Sequence, residues 1–275
     1  MKLNEAAPSL DQVKTFWEDQ SCGEALYLRG NERAHYQHQL EERYRLEPYI
    51  AQLAEFAKCR GERVLEIGVG LGADHQRYSE AGADLYGMDL TDRAAQHVRT
   101  RFKQLGLPSK LLIGDGQLLP YRDAAFDCVY SWGVIHHAPD PELILSEAYR
   151  VLKPRGHLRI MIYHKESVVG AMLWLRYALF RLRPFLSLSQ VYWQYLESPG
   201  TKAYSTPAAA ALLSQFEEVD VHTELTHGDL LTSGAGQRHA GLALRMARFV
   251  WPRWMIRKLL PHWGLFMLIH ARKPA

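Results

Sequence analysis

Cysteine is scarce in this chain. Three occur in 275 residues, Cys22, Cys59 and Cys128, widely spaced and with no CxxC pair. That excludes a disulfide framework and gives no zinc signature. The scattered histidines lack i, i+4 spacing, so no metal is expected. Long apolar runs are also missing. The most apolar stretch, Ser167 to Leu182, is interrupted by Arg176 and Arg181. No uncharged run of 18 residues exists, which argues against a membrane-spanning helix but leaves an interfacial one open. The first residues, MKLNEAAPSLDQ, carry no apolar core of a secretory signal. A reducing, cytoplasmic compartment is expected. Charge imbalance is slight, at +3, too weak to argue for nucleic acid by itself. No internal repeat or low-complexity tract is present.

What remains is an ordinary globular composition, 47 % hydrophobic and 23 % charged, in a chain able to bury a sizeable core. Between residues 61 and 164 short apolar runs alternate with helical patterns. RVLEIG, ADLYGMDL, KLLIGDG, AFDCVYSWG and GHLRIMIYH read as strands. Ala73 to Glu80, Asp92 to Gln104 and Glu142 to Leu152 read as helices, the last stopping at Pro154-Arg155-Gly156. Such alternation implies crossover units and a parallel sheet covered on both faces. FEEVDVHTEL and GLFMLIHARK add two strands near the end. STPAAAALLSQF reads as a helix with Thr206 as N-cap and Pro207 first in the helix. His35 to Lys58 reads as a helix kinked at Pro48. The organisation expected is an N-terminal helical cap over residues 1–60. A Rossmann-like domain then spans 61–275, with lid insertions at about 165–204 and 226–262.

The first strand runs into VLEIGVGLG. Three glycines, Gly68, Gly70 and Gly72, after a buried strand suggest that a ligand lies against the backbone. Gly68-x-Gly70-x-x-Ala73 also satisfies a dinucleotide fingerprint, and Asp89 follows about 20 residues on, where an acid would hold a ribose. Charge separates the alternatives. A pyrophosphate would be disfavoured by Glu66, Asp74 and Asp89. A ligand carrying a sulfonium and an ammonium would be favoured.

Downstream stand Gly114-Asp115 with Leu119-Pro120, Phe126-Asp127-x-Val129 with His136-His137, and Arg150 to Gly156. With Glu66/Gly68/Gly70/Gly72 and Asp89, this ordered set resembles the class I S-adenosylmethionine-dependent methyltransferases, of the small-molecule kind called type 11. The resemblance covers about residues 60 to 165. Gly116 departs from the usual Ala and Arg155 from the usual Gly. It implies a seven-stranded, mostly parallel α/β sheet with helices on both faces and an antiparallel final strand.

The resemblance also implies roles. Gly68, Gly70 and Gly72 would let S-adenosylmethionine approach the main chain. Glu66 would set the potential near its ammonium. Asp89, with Leu90 beside it, would hold the ribose hydroxyls. Asp115 would accept from the adenine amino group, flanked by Gly116 and Gln117. Ser131 would lie beneath the methionine moiety, and Tyr36 and Arg43 could close over it. His136 is the first candidate for a base or substrate contact, whereas His137 would fix the loop. His227, oriented by Asp229, and His239 are further candidates. Trp174, Tyr177, Phe180, Tyr192, Trp193 and Tyr195 could wall an acceptor pocket.

Methyl transfer to a small, partly apolar acceptor is the reading these residues favour. An NAD-dependent oxidoreductase is a second reading. A non-catalytic protein bound to a membrane surface through the basic, tryptophan-rich stretch 245–263 is a third. Nucleic acid is a poor acceptor, since SWGV stands where an Asn/Asp-Pro-Pro-aromatic motif would be.

Overall fold

A computed structural model describes residues 8–28, 33–198, 200–233 and 248–275. Its centre is one sheet of seven strands: β1 Arg63–Ile67, β2 Asp84–Asp89, β3 Lys110–Ile113, β4 Phe126–Trp132, β5 Leu152–Tyr163, β6 Glu217–Glu224 and β7 Phe266–Arg272. Their order is β3-β2-β1-β4-β5-β7-β6, and only β7 runs antiparallel to its neighbours. The expected sheet, with its antiparallel final strand, is therefore present.

Strand alternation divides the core between the two faces. Leu65 and Ile67 of β1 point one way, with Val129, Leu158, Ile160, Met267 and Ile269. They pack on α7 (Pro141–Val151) and α10 (Thr206–Leu212). Val64, Leu85, Tyr130 and Leu268 point the other way, towards α4 (Ile50–Ala54), α5 (Ala73–Glu80) and α6 (Asp92–Leu105). Chain order reverses between β1 and β4, so the strand ends part there and leave a crevice. Ser131 clips that junction by donating to the Ile67 carbonyl at 2.9 Å.

Among the described residues, four α-helices precede the sheet, α1 Leu10–Asp19, α2 Glu24–Tyr27, α3 Arg33–Leu46 and α4, with a 3-10 turn at Phe56–Cys59. Ser9 and Gln12 close a reciprocal capping box on α1. Pro48 does more than kink the expected helix: α3 stops at Leu46, and helix resumes only at Ile50. Two other expectations shift. Helix α7 ends at Val151, and β5 begins at once, ahead of the Pro154-Arg155-Gly156 stop. The cap of α10 is Ser205, not Thr206. Its extended backbone and Oγ receive the Ala208 N–H, which moves Pro207 to the second helical position.

The expected lid regions contain α8 (Val168–Trp174), a π-helical turn (Leu175–Leu179), α9 (Leu188–Tyr195) and α11 (Arg253–Leu259). Val168 and Met172 of α8 pack against Ile256, Leu260 and Trp251. No helix among the described residues is long and apolar enough to cross a membrane.

Candidate active site

A cavity of about 240 Å³ opens above the crevice, at the C-terminal ends of β1, β2, β4 and β5. Its floor is the loop Gly68–Gly72 between β1 and α5. The three glycines serve different ends. A side chain on Gly68 would collide with Val134, at 2.1 Å, and one on Gly72 would press on Val98 of α6. Gly70, at φ +49, would point its side chain into open space. Packing thus accounts for two of the three, and of these only a Cβ on Gly70 would meet no neighbouring atom.

Asp89, at the end of β2, ties this floor to its surroundings. Its Oδ2 accepts from the Gly70 amide at 3.2 Å. Its Oδ1 accepts from the Thr91 amide and hydroxyl at 3.0 and 2.8 Å. Burial raises its pKa against the pull of these donors. Across the cavity Asp115 is held in a turn by the Gln117 amide and side chain. Gln117 in turn accepts from the Asp140 amide at the start of α7. Leu90, Gly116 and Ile144 complete this end.

The inner wall is carboxylate-rich. Glu66 shares Oε2 with His75 Nδ1 at 2.8 Å, and His75 Nε2 meets Ser109 Oγ at 2.7 Å. Burial, then the Asp74 charge, pushes Glu66 well above the usual carboxylate range. Burial holds His75 down to about 3, so its ring is neutral. Asp74 accepts two bonds from Arg43, at 3.0 and 2.7 Å, and one each from the Tyr44 and Tyr130 hydroxyls. Burial works against its ionisation, and Arg43 and these donors overcome it. Arg43 also reaches Glu47 at 3.3 Å and lies over the Trp132 ring. Glu47 is nonetheless pushed up to about 7 by burial. Six carboxyl groups (Glu47, Glu66, Asp74, Asp89, Asp115 and Glu197) face the cavity against one guanidinium, itself paired twice. Such a volume favours cationic occupants.

The far end is aromatic. Trp17 of α1, Trp132, Tyr163 and Phe266 enclose it with Val13 and Met161. Glu197, just past α9, projects here. Its Oε2 accepts from the Tyr163 hydroxyl at 2.6 Å and faces His137 Nε2 at 3.3 Å. His137 Nδ1 sits 2.8 Å from Ser198 Oγ and 3.2 Å from Thr201 Oγ1. The ring is thereby oriented, with one nitrogen towards a carboxylate.

Residues 65–160 match a methyltransferase domain family. The chain carries a class I methyltransferase domain. A demethylmenaquinone methyltransferase from Tropheryma whipplei is 31 % identical over 159 residues, covering 56 % of this chain and 65 % of the relative. A sterol 24-C-methyltransferase from Pneumocystis carinii is 37 % identical over 115 residues, 41 % of this chain and 30 % of the relative. The chain thus spans less than two thirds of these curated relatives. A phosphoethanolamine N-methyltransferase 2 from Haemonchus contortus, solved with phosphomonomethylethanolamine and S-adenosylhomocysteine, shares the fold at TM-score 0.62 and 16 % identity. The match covers 96 % of this chain and 60 % of that one. The [4+2]-cyclase SpnF shares it at 0.58 and 16 %, over 98 % of both chains.

The sequence candidates fall into two groups. Glu66, Gly68, Gly70, Gly72, Asp89, Leu90, Asp115, Gly116 and Arg43 converge on the cavity. Gln117 and Ser131 stand behind its wall as braces. Tyr36 does not reach it: its hydroxyl meets His97 Nδ1 at 3.1 Å under α3. His136 is off the wall as well. It is fully buried with its ring against Tyr163, and neither ring nitrogen has a hydrogen-bond partner. Burial and its neighbours His137 and Lys202 hold it well below the usual histidine range. The adjacent His137 occupies the wall instead.

His227 is not among the described lining residues. The Asp229 carboxylate expected to orient it accepts from the Val169, Thr226 and Leu265 amides and the Thr226 hydroxyl. It therefore pins the base of the second insertion. His239 lies outside the described residues. Of the lid aromatics, Phe180 is exposed, Trp193 lies under the Lys202 ammonium, and the others pack within the lid. Tyr177 and Tyr195 stack at 4.0 Å, Trp174 donates to the Leu186 carbonyl, and the buried Tyr192 hydroxyl meets Ser167.

Sequence reasoning missed Trp17, Glu47, Tyr163 and Glu197. Only α1 carried a local signal, the Ser9-x-x-Gln12 capping box.

Proposed function

We propose that the protein transfers the methyl group of S-adenosylmethionine to a small, partly apolar organic molecule seated at the aromatic end of the cavity. The observation that carries this reading is the excess of buried carboxyl groups around the open space at Gly70. A pyrophosphate would meet Glu66, Asp74 and Asp89 there, whereas a sulfonium and an ammonium suit them. When bound, the cofactor supplies an electrophilic methyl group on cationic sulfur.

The chain's own residues do the rest. Asp89 already accepts three bonds, which leaves an acceptor position on Oδ2 for a ribose hydroxyl, and Asp115 offers an acceptor to an exocyclic amine. Asp74 stays ionised beside a bound ammonium, and the ammonium's charge would favour ionisation of Glu66 against the burial that opposes it. Trp17, Trp132, Tyr163 and Phe266 exclude water and align an apolar acceptor with the reacting carbon, where alignment supplies much of the acceleration. An acceptor that must lose a proton finds the His137–Glu197 pair on the same wall.

Calorimetric titration with S-adenosylmethionine, and separately with NADH, tests the reading. Binding of the first alone is expected, weakened on the order of a hundredfold in Asp89→Ala, because hydrogen bonds to a charged acceptor are lost. Folded protein that binds no S-adenosylmethionine would sink it.

A further inference from the structure

Large apolar side chains are exposed very unevenly. Among the described residues, eleven of the fifteen exposed large hydrophobics fall in two stretches, 175–185 and 249–263. Phe185 is 98 % exposed, Leu182 90 % and Phe249 86 %. Single exposed hydrophobics need no explanation, but a cluster of this size does.

The two stretches are neighbours. Helix α8, which leads into the first, packs its Val168 and Met172 on Ile256 and Leu260 from the second. Helix α8 and the second stretch thus share one small core, while Ala178 and Tyr177 of the first stretch pack on Leu173 of α8 and on α9. The outer faces of the two stretches present Phe180, Phe185, Phe249, Val250 and Trp254 to solvent.

Charge follows the same division. The chain is almost balanced, with 33 basic and 30 acidic residues. Yet no Asp or Glu occurs at positions 167–196, nor at any position after Asp229. Arg176, Arg181 and Arg183 interleave the first exposed stretch, and Arg253, Arg257 and Lys258 the second. Arg253 is occupied by the Leu230, Leu231 and Arg248 carbonyls. The others stand among the exposed hydrophobics without an acid in their own stretch.

We propose that this face docks the protein on an anionic lipid bilayer, with the aromatic and aliphatic side chains in the headgroup layer and the cations on lipid phosphates and carboxylates. Exposed aromatics among unneutralised arginines complement such a surface in both respects. A second protein copy would bring the same positive charge and be repelled. Position adds a consequence. The first stretch leads through α9 to Glu197, and the second ends three residues before Phe266; both residues line the cavity. Docking would bring the aromatic end of the cavity close to the bilayer, the source of an apolar acceptor.

The test is flotation of the purified chain with phosphatidylcholine vesicles, with and without phosphatidylserine, at low and high salt. Binding is expected only with phosphatidylserine and should weaken with salt. Arg257→Glu/Lys258→Glu should weaken it about fivefold or more per charge. Phe180→Ser/Phe185→Ser and Phe249→Ser/Trp254→Ser should each weaken it on the order of tenfold or more. These side chains are exposed, so unchanged circular dichroism is expected, and cofactor titration of the same variants keeps this inference separate from the proposed activity. Absence of binding to phosphatidylserine vesicles overturns the proposal. So does binding that all variants retain, or a dimer that the serine variants dissociate while vesicles capture nothing.

Discussion

Glu47 is the most informative single residue for pH dependence. Its carboxyl is buried at the cavity wall and pushed from 4.5 up to about 7, mainly by loss of hydration. Below about pH 4.5 folded and unfolded states both carry its proton. Between 4.5 and 7 the unfolded chain ionises while the folded chain does not. Stability contributed by this group therefore falls as pH rises, by about 3 kcal/mol in all. Glu47→Gln should remove that slope, so urea unfolding at pH 8 and pH 4.5 should show the variant gaining relative stability at the higher pH. An unchanged difference between wild type and variant at the two pH values would refute the assignment. At this scale much of the cavity was legible. Glu66, Asp89 and Asp115 sit at strand ends or in the loops beside them, where a motif fixes place as well as type. Glu47 and Glu197 were not, since each is an acid in an unremarkable local sequence that becomes special only when the chain buries it. His136 and His137 differ by one position, and only the path of the 3-10 turn Ile135–His137 decides which imidazole faces the cavity.

At the scale of elements, α3 is held by one buried cation. Arg101 of α6 is fully buried and donates to the Gln76 and Gln39 side chains and to the Leu71 and Tyr36 carbonyls. It joins the cap helix to the glycine loop, and burial lowers it to about 10. Arg101→Met should cost about 3 kcal/mol, because four acceptors lose their donor away from water. It should also raise the cofactor Kd, since the loop and the helix carrying Arg43 lose a common anchor. Denaturant unfolding and calorimetry read the two effects, and a variant as stable as wild type would disprove the role. Elements with strong periodicity or a motif at their ends, β1, α5, β2 and α6, were readable to within a residue or two. Helix α1 went unread because it buries only Val13 fully and packs its apolar face over a cavity and α6.

For the whole molecule, a ligand enclosed between the sheet and the N-terminal helices links binding to global stability. On the proposed function, S-adenosylmethionine at about a hundred times its Kd should stabilise the fold by about 2.7 kcal/mol. A rise in Tm of roughly 5 °C follows for a domain of this size. NADH should produce none, and a thermal scan with both ligands distinguishes the cases. A shift with NADH alone would favour the oxidoreductase reading. Helices α1 and α3 and the turn after α3 matter to this linkage, because Leu10, Val13, Trp17, Gln39, Arg43 and Glu47 all line the cavity.

The sequence by itself determined the alternation of strands and helices, the order of the glycine and acid motifs, and hence the sheet and the charge of its crevice. These follow from local chemistry: apolar periodicity, turn residues and motif spacing act over a few residues at a time. Only the tertiary structure decided which histidine meets Glu197, that Arg101 binds α3 to the glycine loop, and that two acid-free stretches far apart in the chain share one core. Those outcomes depend on which segments the sheet brings together, and contacts between distant segments leave no pattern in either one alone.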